Sequence, residues 1–158
     1  MRPKPASPAR AALLAAGCSD SELAERQAEV AEAGAEVMPF DLDRSTHVFE
    51  KTAEGGIQTV VSDDTDPAQV ALIRAHLAEE AERFARGDFH DPEMIHGSDM
   101  GGLHALATGY ERLRITYREV DHGGEIRYAS EDPALVAALH EWFDAQLRDH
   151  GAHAQPHG

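Results

Sequence analysis

The feature that most constrains the fold is an internal repeat. Residues 55–64 read Gly-Gly-Ile-Gln-Thr-Val-Val-Ser-Asp-Asp, and residues 123–132 read Gly-Gly-Glu-Ile-Arg-Tyr-Ala-Ser-Glu-Asp. A Pro-Ala-x-Val motif follows each of them, at residues 67–70 and 133–136. Each Gly-Gly pair lies between strand-like stretches, which is typical of a hairpin turn, and each proline is typical of the first turn of a helix. The sequence therefore predicts a unit of two strands and one helix that occurs twice.

The spacing of apolar residues supports both predicted helices. After each proline such residues recur at helical intervals: Val70, Ile73, Leu77 and Phe84 in the first repeat, and Val136, Leu139, Phe143 and Leu147 in the second. Two hairpins and two amphipathic helices are most simply combined as a four-stranded antiparallel sheet with both helices on one face. A further helix is predicted from Ser19 to Ala33, ended by Gly34. The expected fold class is α+β, a ββα-ββα duplication plus an N-terminal helix.

The chain has the length of about one domain, with 158 residues. We predict a single α+β domain over residues 19–151, with the repeats at about 46–87 and 112–151. Residues 152–158 are expected to form a flexible tail that contains histidine.

Residues 1–18 form a leader with two interpretations. Three basic residues precede an apolar run that ends at Cys18, which resembles a lipoprotein signal with Cys18 as the lipidated residue. The run is short for a signal and prolines crowd the basic region, so we favour a disordered leader on a cytoplasmic protein. An exported or lipidated protein is the alternative. No apolar run approaches the roughly 20 residues of a membrane-spanning helix, so we expect no transmembrane segment. The single cysteine excludes an intrachain disulfide.

The charge of the chain narrows its range of partners. Asp and Glu number 29 against 14 Lys and Arg, which gives a formal net charge of −15. Such a surface repels phosphate backbones, so we do not expect nucleic-acid binding. It attracts cations, although an acidic surface that only maintains solubility explains the same composition.

Histidine is the residue type that most suggests chemistry, since the chain has ten of them. Neutral imidazole is the commonest metal ligand. The candidate metal ligands are His47, His96, Asp99, Met100, His150 and His153. Histidine with Met suits copper, whereas histidine with Asp suits zinc, and haem is a further alternative. In the connector, residues 88–109, we expect a helix from Ser98 or Asp99 to Ala107, which would place Met100 and His104 on one face.

Each candidate could instead be an ordinary surface or packing residue. None shows the fixed spacing of a zinc finger or of a His-Glu-x-x-His helix, so the spacing alone does not indicate a metal site. The tail histidines could bind metal without function. The repeat offers one further guide. His47 aligns with Ile115, and His96 lies outside both repeats. We therefore expect a site where the connector and the C-terminus meet the first strand.

Six segments together resemble a family of small, mostly actinobacterial proteins, some of which are labelled aspartate carbamoyltransferase. The segments are 26–30, 37–42, 46–49, 95–100, 142–146 and 149–153. The resemblance covers most of the chain after residue 24. The chain lacks the Ser-Thr-Arg-Thr-Arg loop that binds carbamoyl phosphate in true transcarbamoylases, so carbamoyltransferase activity is not expected. The resemblance directs attention to His47, His96, His150 and His153.

Three functions follow from the sequence. We favour a small acidic soluble protein that binds a transition-metal ion, copper or zinc, or a metal cofactor through its histidines. The first alternative is a non-enzymatic interaction module, including a homodimer formed through the free sheet face or an edge strand. The second is a small enzyme with a histidine as acid–base. An enzyme is the less favoured class, because the chain has no phosphate-binding glycine loop and no Gly-x-Ser-x-Gly motif.

Overall fold

The computed structural model describes residues 19–157. The helices are α1 (Asp20–Val37), α2 (Pro67–Ala85), α3 (His90–His96), α4 (Leu103–Thr108) and α5 (Pro133–His150). The strands are β1 (Ser45–Thr52), β2 (Gly55–Ser62), β3 (Arg114–Val120), β4 (Gly123–Ala129) and β5 (Ala154–Pro156). This confirms the α+β class. The predicted leader and Cys18 lie outside the described residues.

The sheet is mixed and has the strand order β3-β4-β2-β1-β5. The four strands of the two hairpins pair antiparallel, as predicted. The prediction of four strands was nevertheless wrong, because residues 154–156 form a fifth strand. That strand runs parallel to β1, with Ala154 opposite His47. Three residues are too few to show a period in the sequence, and here pairing with β1 determines the structure.

The Gly-Gly pairs do not form the turns, contrary to expectation. The turns are Ala53-Glu54 and Asp121-His122, and the glycines are the first residues of β2 and β4. The second glycine of each pair is needed because there is no room for a side chain at its position. A Cβ at Gly56 would lie 2.3 Å from the ring of Phe143, and one at Gly124 would lie 3.0 Å from Leu77. Real Cβ contacts are not so short, so the glycines let the helices approach the sheet closely.

Each long helix packs mainly on the strands of the other repeat. α2 packs on β4 and β3 and also contacts β2, whereas α5 packs on β2 and β1. Residues at aligned positions of α2 and α5 bind each helix to the hairpin turn that lies beneath it. Arg74 of α2 donates to main-chain carbonyls at both ends of the β3–β4 turn, at 2.9 and 3.0 Å. His140 of α5, which aligns with Arg74, has Nε2 at 3.0 and 2.8 Å from the carbonyls at both ends of the β1–β2 turn. Each repeat thus binds the hairpin of the other through its helix. α1, α3, α4 and β5 have no counterparts in the repeat.

The core fills the space between the helices and the inner face of the sheet. Its largest fully buried side chains include Trp142, Tyr128, Phe84 and Phe143. Burial of an aromatic or branched side chain of this size contributes about 1.5–3 kcal/mol. Apolar packing of α2 and α5 on the sheet therefore holds the fold together.

α1 packs on the helical side of the molecule, against α3 and α5. It begins with a capping box formed by Ser19 and Glu22. It was predicted to stop at Ala33, but it continues to Val37 and buries Gly34. A Cβ at Gly34 would lie 3.0 Å from Leu42, so this glycine serves close packing rather than helix termination. No helix within residues 19–157 combines the length and apolar character needed to cross a membrane.

Candidate functional site

Three histidines from distant parts of the chain meet in the interior. His47 lies on β1, His96 ends α3 and His150 ends α5; they are 2%, 2% and 9% exposed. The ring centroids of His47 and His150 are 5.4 Å apart with nearly parallel planes, and those of His96 and His150 are 5.0 Å apart with steeply inclined planes. All three line one internal cavity of about 20 Å³. We call these residues the histidine cluster.

A buried carboxylate orients His96. Nδ1 of His96 lies 2.9 Å from Oδ2 of Asp149, and the same oxygen accepts a hydrogen bond from Arg26 of α1 at 3.0 Å. Burial alone would raise the pKa of Asp149, but the hydrogen bonds from His96 and Arg26 hold it well below its usual range. Asp149 is therefore ionised at neutral pH, and its charge fixes His96 with Nδ1 protonated. Nε2 is then the nitrogen of His96 that is free to accept or to bind.

A side-chain amide orients His150 in the same way. Nε2 of His150 lies 2.9 Å from Oε1 of Gln146, one helical turn earlier on α5. Because an amide oxygen only accepts, Nε2 of His150 carries the proton and Nδ1 presents a lone pair. Burial lowers the pKa of His150 well below its ordinary value, and repulsion from His47 and His96 lowers it further. His150 is therefore neutral.

His47 lacks a hydrogen-bond partner for its Nδ1, although that atom is buried. Burial, followed by repulsion from His153 and His76, lowers the pKa of His47 to about 4. An unsatisfied buried polar atom costs about 1–3 kcal/mol, which invites a functional explanation. The neutral imidazole is also the form that binds metal ions.

The cavity is also lined by a second polar pair, His76 and Glu80 of α2. Nε2 of His76 lies 3.3 Å from Oε1 of Glu80, close enough for an ion pair but without the alignment of a hydrogen bond. Burial lowers the pKa of His76, but the carboxylate of Glu80 raises it above its ordinary value overall. The pKa of His76 is thus shifted in the direction opposite to those of His47 and His150.

The other predicted ligands lie outside the cluster. Asp99 is exposed and Met100 is buried in the hydrophobic core. The expected helix from residue 98 or 99 begins only at Leu103, because Gly102 adopts a left-handed conformation with φ 78°. Met100 and His104 therefore do not share a helix face. His153 is half-exposed, with Nε2 3.5 Å from Oδ1 of Asp43.

The three rings lie close together, but their nitrogens do not face one common point as metal ligands do. Within residues 19–157, no group of three or more His, Cys, Asp or Glu side chains is arranged so that it could hold a metal ion. The partners Arg26, Gln146 and Asp149 were not among the predicted site residues. Only the spacing of four between Gln146 and His150 offered a signal for one of them, since such residues share a helix face.

A larger surface pocket adjoins the cluster. It has a volume of about 400 Å³ and lies between α1, the loop of residues 38–43 and the C-terminal end of α5. His150 and His153 are among the residues that line it. We call it the α1 pocket.

No family model matches the chain, and no curated protein or solved structure is detectably similar to it. The interaction-module and acid–base enzyme alternatives stay predictions, and the geometry of the site is the basis for choosing among functions.

Proposed function

We propose that the protein binds a transition-metal ion at the histidine cluster, with His47, His96 and His150 as the ligands. The observation that carries the proposal is the convergence of three buried imidazoles on one cavity. Two of them have one ring nitrogen held by an outer partner, as metal-binding histidines almost always do. The third has a buried nitrogen without a partner.

The distances between the rings support this assignment. A metal–nitrogen bond of about 2.0–2.1 Å places the ion about 3.2 Å from the centre of each ligating ring, so two rings at a tetrahedral angle have centres about 5 Å apart. The observed separations are 5.4 Å for His47 and His150 and 5.0 Å for His96 and His150. These two separations fit a shared ion, but the rotation of the rings does not. Binding therefore requires the imidazoles to turn about their side-chain bonds until three nitrogens face one point.

The donor set indicates which ions to expect. Three imidazoles suit zinc or Cu(II), whereas Cu(I) prefers sulfur ligands. The nearby carboxylate of Asp149 offsets part of the charge of a divalent ion. A cavity of about 20 Å³ accommodates a single ion, while a haem group would require the interior to open. Zinc and Cu(II) are therefore the ions to test.

The direct test is metal analysis of the full chain, purified without an affinity tag. The protein is stripped with EDTA, incubated with zinc or Cu(II), dialysed and analysed by mass spectrometry. We expect about one equivalent of bound metal, which His96→Ala should abolish because it removes a ligand. His47→Leu should also abolish binding while keeping the fold, since leucine fills the site without a buried polar atom.

His104→Ala serves as the matched control, because His104 is an exposed histidine outside the cluster. It should bind as much metal as the parent chain. Metal content below about a tenth of an equivalent for both ions would overturn the proposal. Equal retention of metal by folded His47→Leu and His96→Ala chains would also overturn it, because the ion would then bind elsewhere.

A further inference from the structure

The α1 pocket has the size and lining of a small-molecule site. Its volume of about 400 Å³ falls within the range of about 300–1,000 Å³ that is usual for ligand pockets. Small and apolar side chains of α1 and the following loop form its walls, including Ala31, Ala35, Pro39 and Leu42. The walls can therefore bury an apolar body without displacing bulky side chains.

The inner end of the pocket is in contact with the interior of the protein. Met38, Phe40 and His150 line both the α1 pocket and the cavity of the histidine cluster. A molecule in the pocket thus meets the imidazole of His150, which is 9% exposed.

The charges around the pocket restrict the ligand further. Asp41 and Asp43 line it, and within the described chain no Lys or Arg does. Asp43 is 88% exposed at the side chain and lies 3.5 Å from the half-exposed His153. The protein as a whole carries a formal net charge of −15. An anionic ligand would meet repulsion here, whereas a cation would meet two carboxylates.

We infer that the α1 pocket binds a small organic cation, a primary amine attached to an apolar body about the size of one ring. The apolar body lies against Ala31, Ala35 and Pro39. The ammonium group donates hydrogen bonds to the carboxylates of Asp41 and Asp43. The inference does not depend on metal binding, because none of its contacts passes through an ion.

The test compares three probes that share one shape and differ in charge. 2-Phenylethylamine, 2-phenylethanol and 3-phenylpropionate are titrated separately into the ¹⁵N-labelled full chain, in EDTA, and followed by NMR. We expect saturable shifts of the amides of Ala31, Ala35 and His153 with the amine, with a Kd of about 0.1–1 mM. The alcohol should bind more weakly, and the carboxylate should cause no saturable shift.

Variants then locate the site. Ala35→Trp places an indole in the pocket from an exposed helix position, so it should abolish binding of the amine while leaving the rest of the spectrum dispersed. Asp43→Asn should weaken amine binding about threefold, the size of effect expected of an exposed charge, and should leave alcohol binding unchanged. Glu36→Gln is the control, because it removes the same charge from an exposed position that does not line the pocket.

Each of the following results would overturn the inference: absence of saturable binding of the amine up to 10 mM, about tenfold above the expected Kd; binding of the carboxylate as tightly as the amine; or unchanged amine binding by Ala35→Trp. Equal weakening by Asp43→Asn and Glu36→Gln would show attraction to the acidic surface as a whole and would also overturn it. Because the titration is done in EDTA, its failure leaves the metal proposal unaffected.

Discussion

The buried imidazole of His47 ties the stability of the fold to pH. Its pKa is about 4 in the folded protein, against an ordinary value of 6.5. Between these two values the unfolded chain binds a proton that the folded chain does not. The free energy of unfolding therefore falls as the pH drops from 6.5 to 4, and the loss is complete below pH 4.

We expect His47 to account for a loss of roughly 3 kcal/mol over this range, from a pKa difference of about 2.5 units. Urea unfolding of the parent chain and His47→Leu, from pH 7.5 to 4 in EDTA, measures this contribution. The free energy of unfolding should decline more steeply in the parent, so that the stability of His47→Leu relative to the parent rises by roughly 3 kcal/mol between pH 7.5 and pH 4. Parallel pH profiles would show that His47 is not held neutral by the fold.

The residues of the site differ in how far the sequence could predict them. His47 and His96 stood out because the repeat left them unmatched, and His150 because the resemblance directed attention to it; the structure brings these three together. Asp149 could not be recognised in the same way, because it is one of 29 acidic residues and nothing local shows that its side chain is buried. Burial of a single carboxylate depends on α1 and α3 packing against α5, which is tertiary information.

At the scale of elements, the glycines that start β2 and β4 set the distance between helix and sheet. The sequence suggested turns because glycine is equally typical of turns and of close backbone approach. The actual turn of the second hairpin contains His122 at φ 61°, a left-handed conformation that sequence patterns assign to glycine or asparagine. The two hairpins and the long helices were predictable from periodicity, whereas α3, β5 and the exact role of each glycine were not.

Gly56→Ala should therefore destabilise the fold by about 1–3 kcal/mol, the usual effect of overpacking. The new methyl group would lie 2.3 Å from the ring of Phe143. Thr59→Ala, on the opposite face of the same strand, is the control and should cost less. Urea unfolding gives both values.

Combining Gly56→Ala with Phe143→Leu tests the cause. Leucine removes the ring atoms that the methyl group would meet, so the double variant should lose less stability than the sum of the two single variants. Additive losses would show that the glycine is needed for some other reason, such as its backbone conformation.

At the scale of the whole molecule, β5 closes one edge of the sheet. It pairs with β1 directly beside His47, and the main-chain N–H of His157 donates to the carbonyl of Phe49. The edge would otherwise expose unpaired main-chain groups of a strand that lines the site. The tail is therefore part of the fold, although the sequence predicted it to be flexible.

Deletion of residues 154–158 should lower the free energy of unfolding by about 1–2 kcal/mol, because several main-chain hydrogen bonds and the packing of Ala154 are lost. The exposed edge of β1 should also promote self-association, which light scattering would detect. A truncated chain with the stability and monomer content of the parent would show that β5 contributes nothing to the sheet.

The packing of the long helices has a consequence for how the chain can be divided. Most of the strand surface that buries α2 belongs to β3 and β4, whereas α5 packs on β1 and β2. Neither hairpin–helix unit therefore carries the whole surface that covers its own helix. We expect the two units to fold together and not as separable halves.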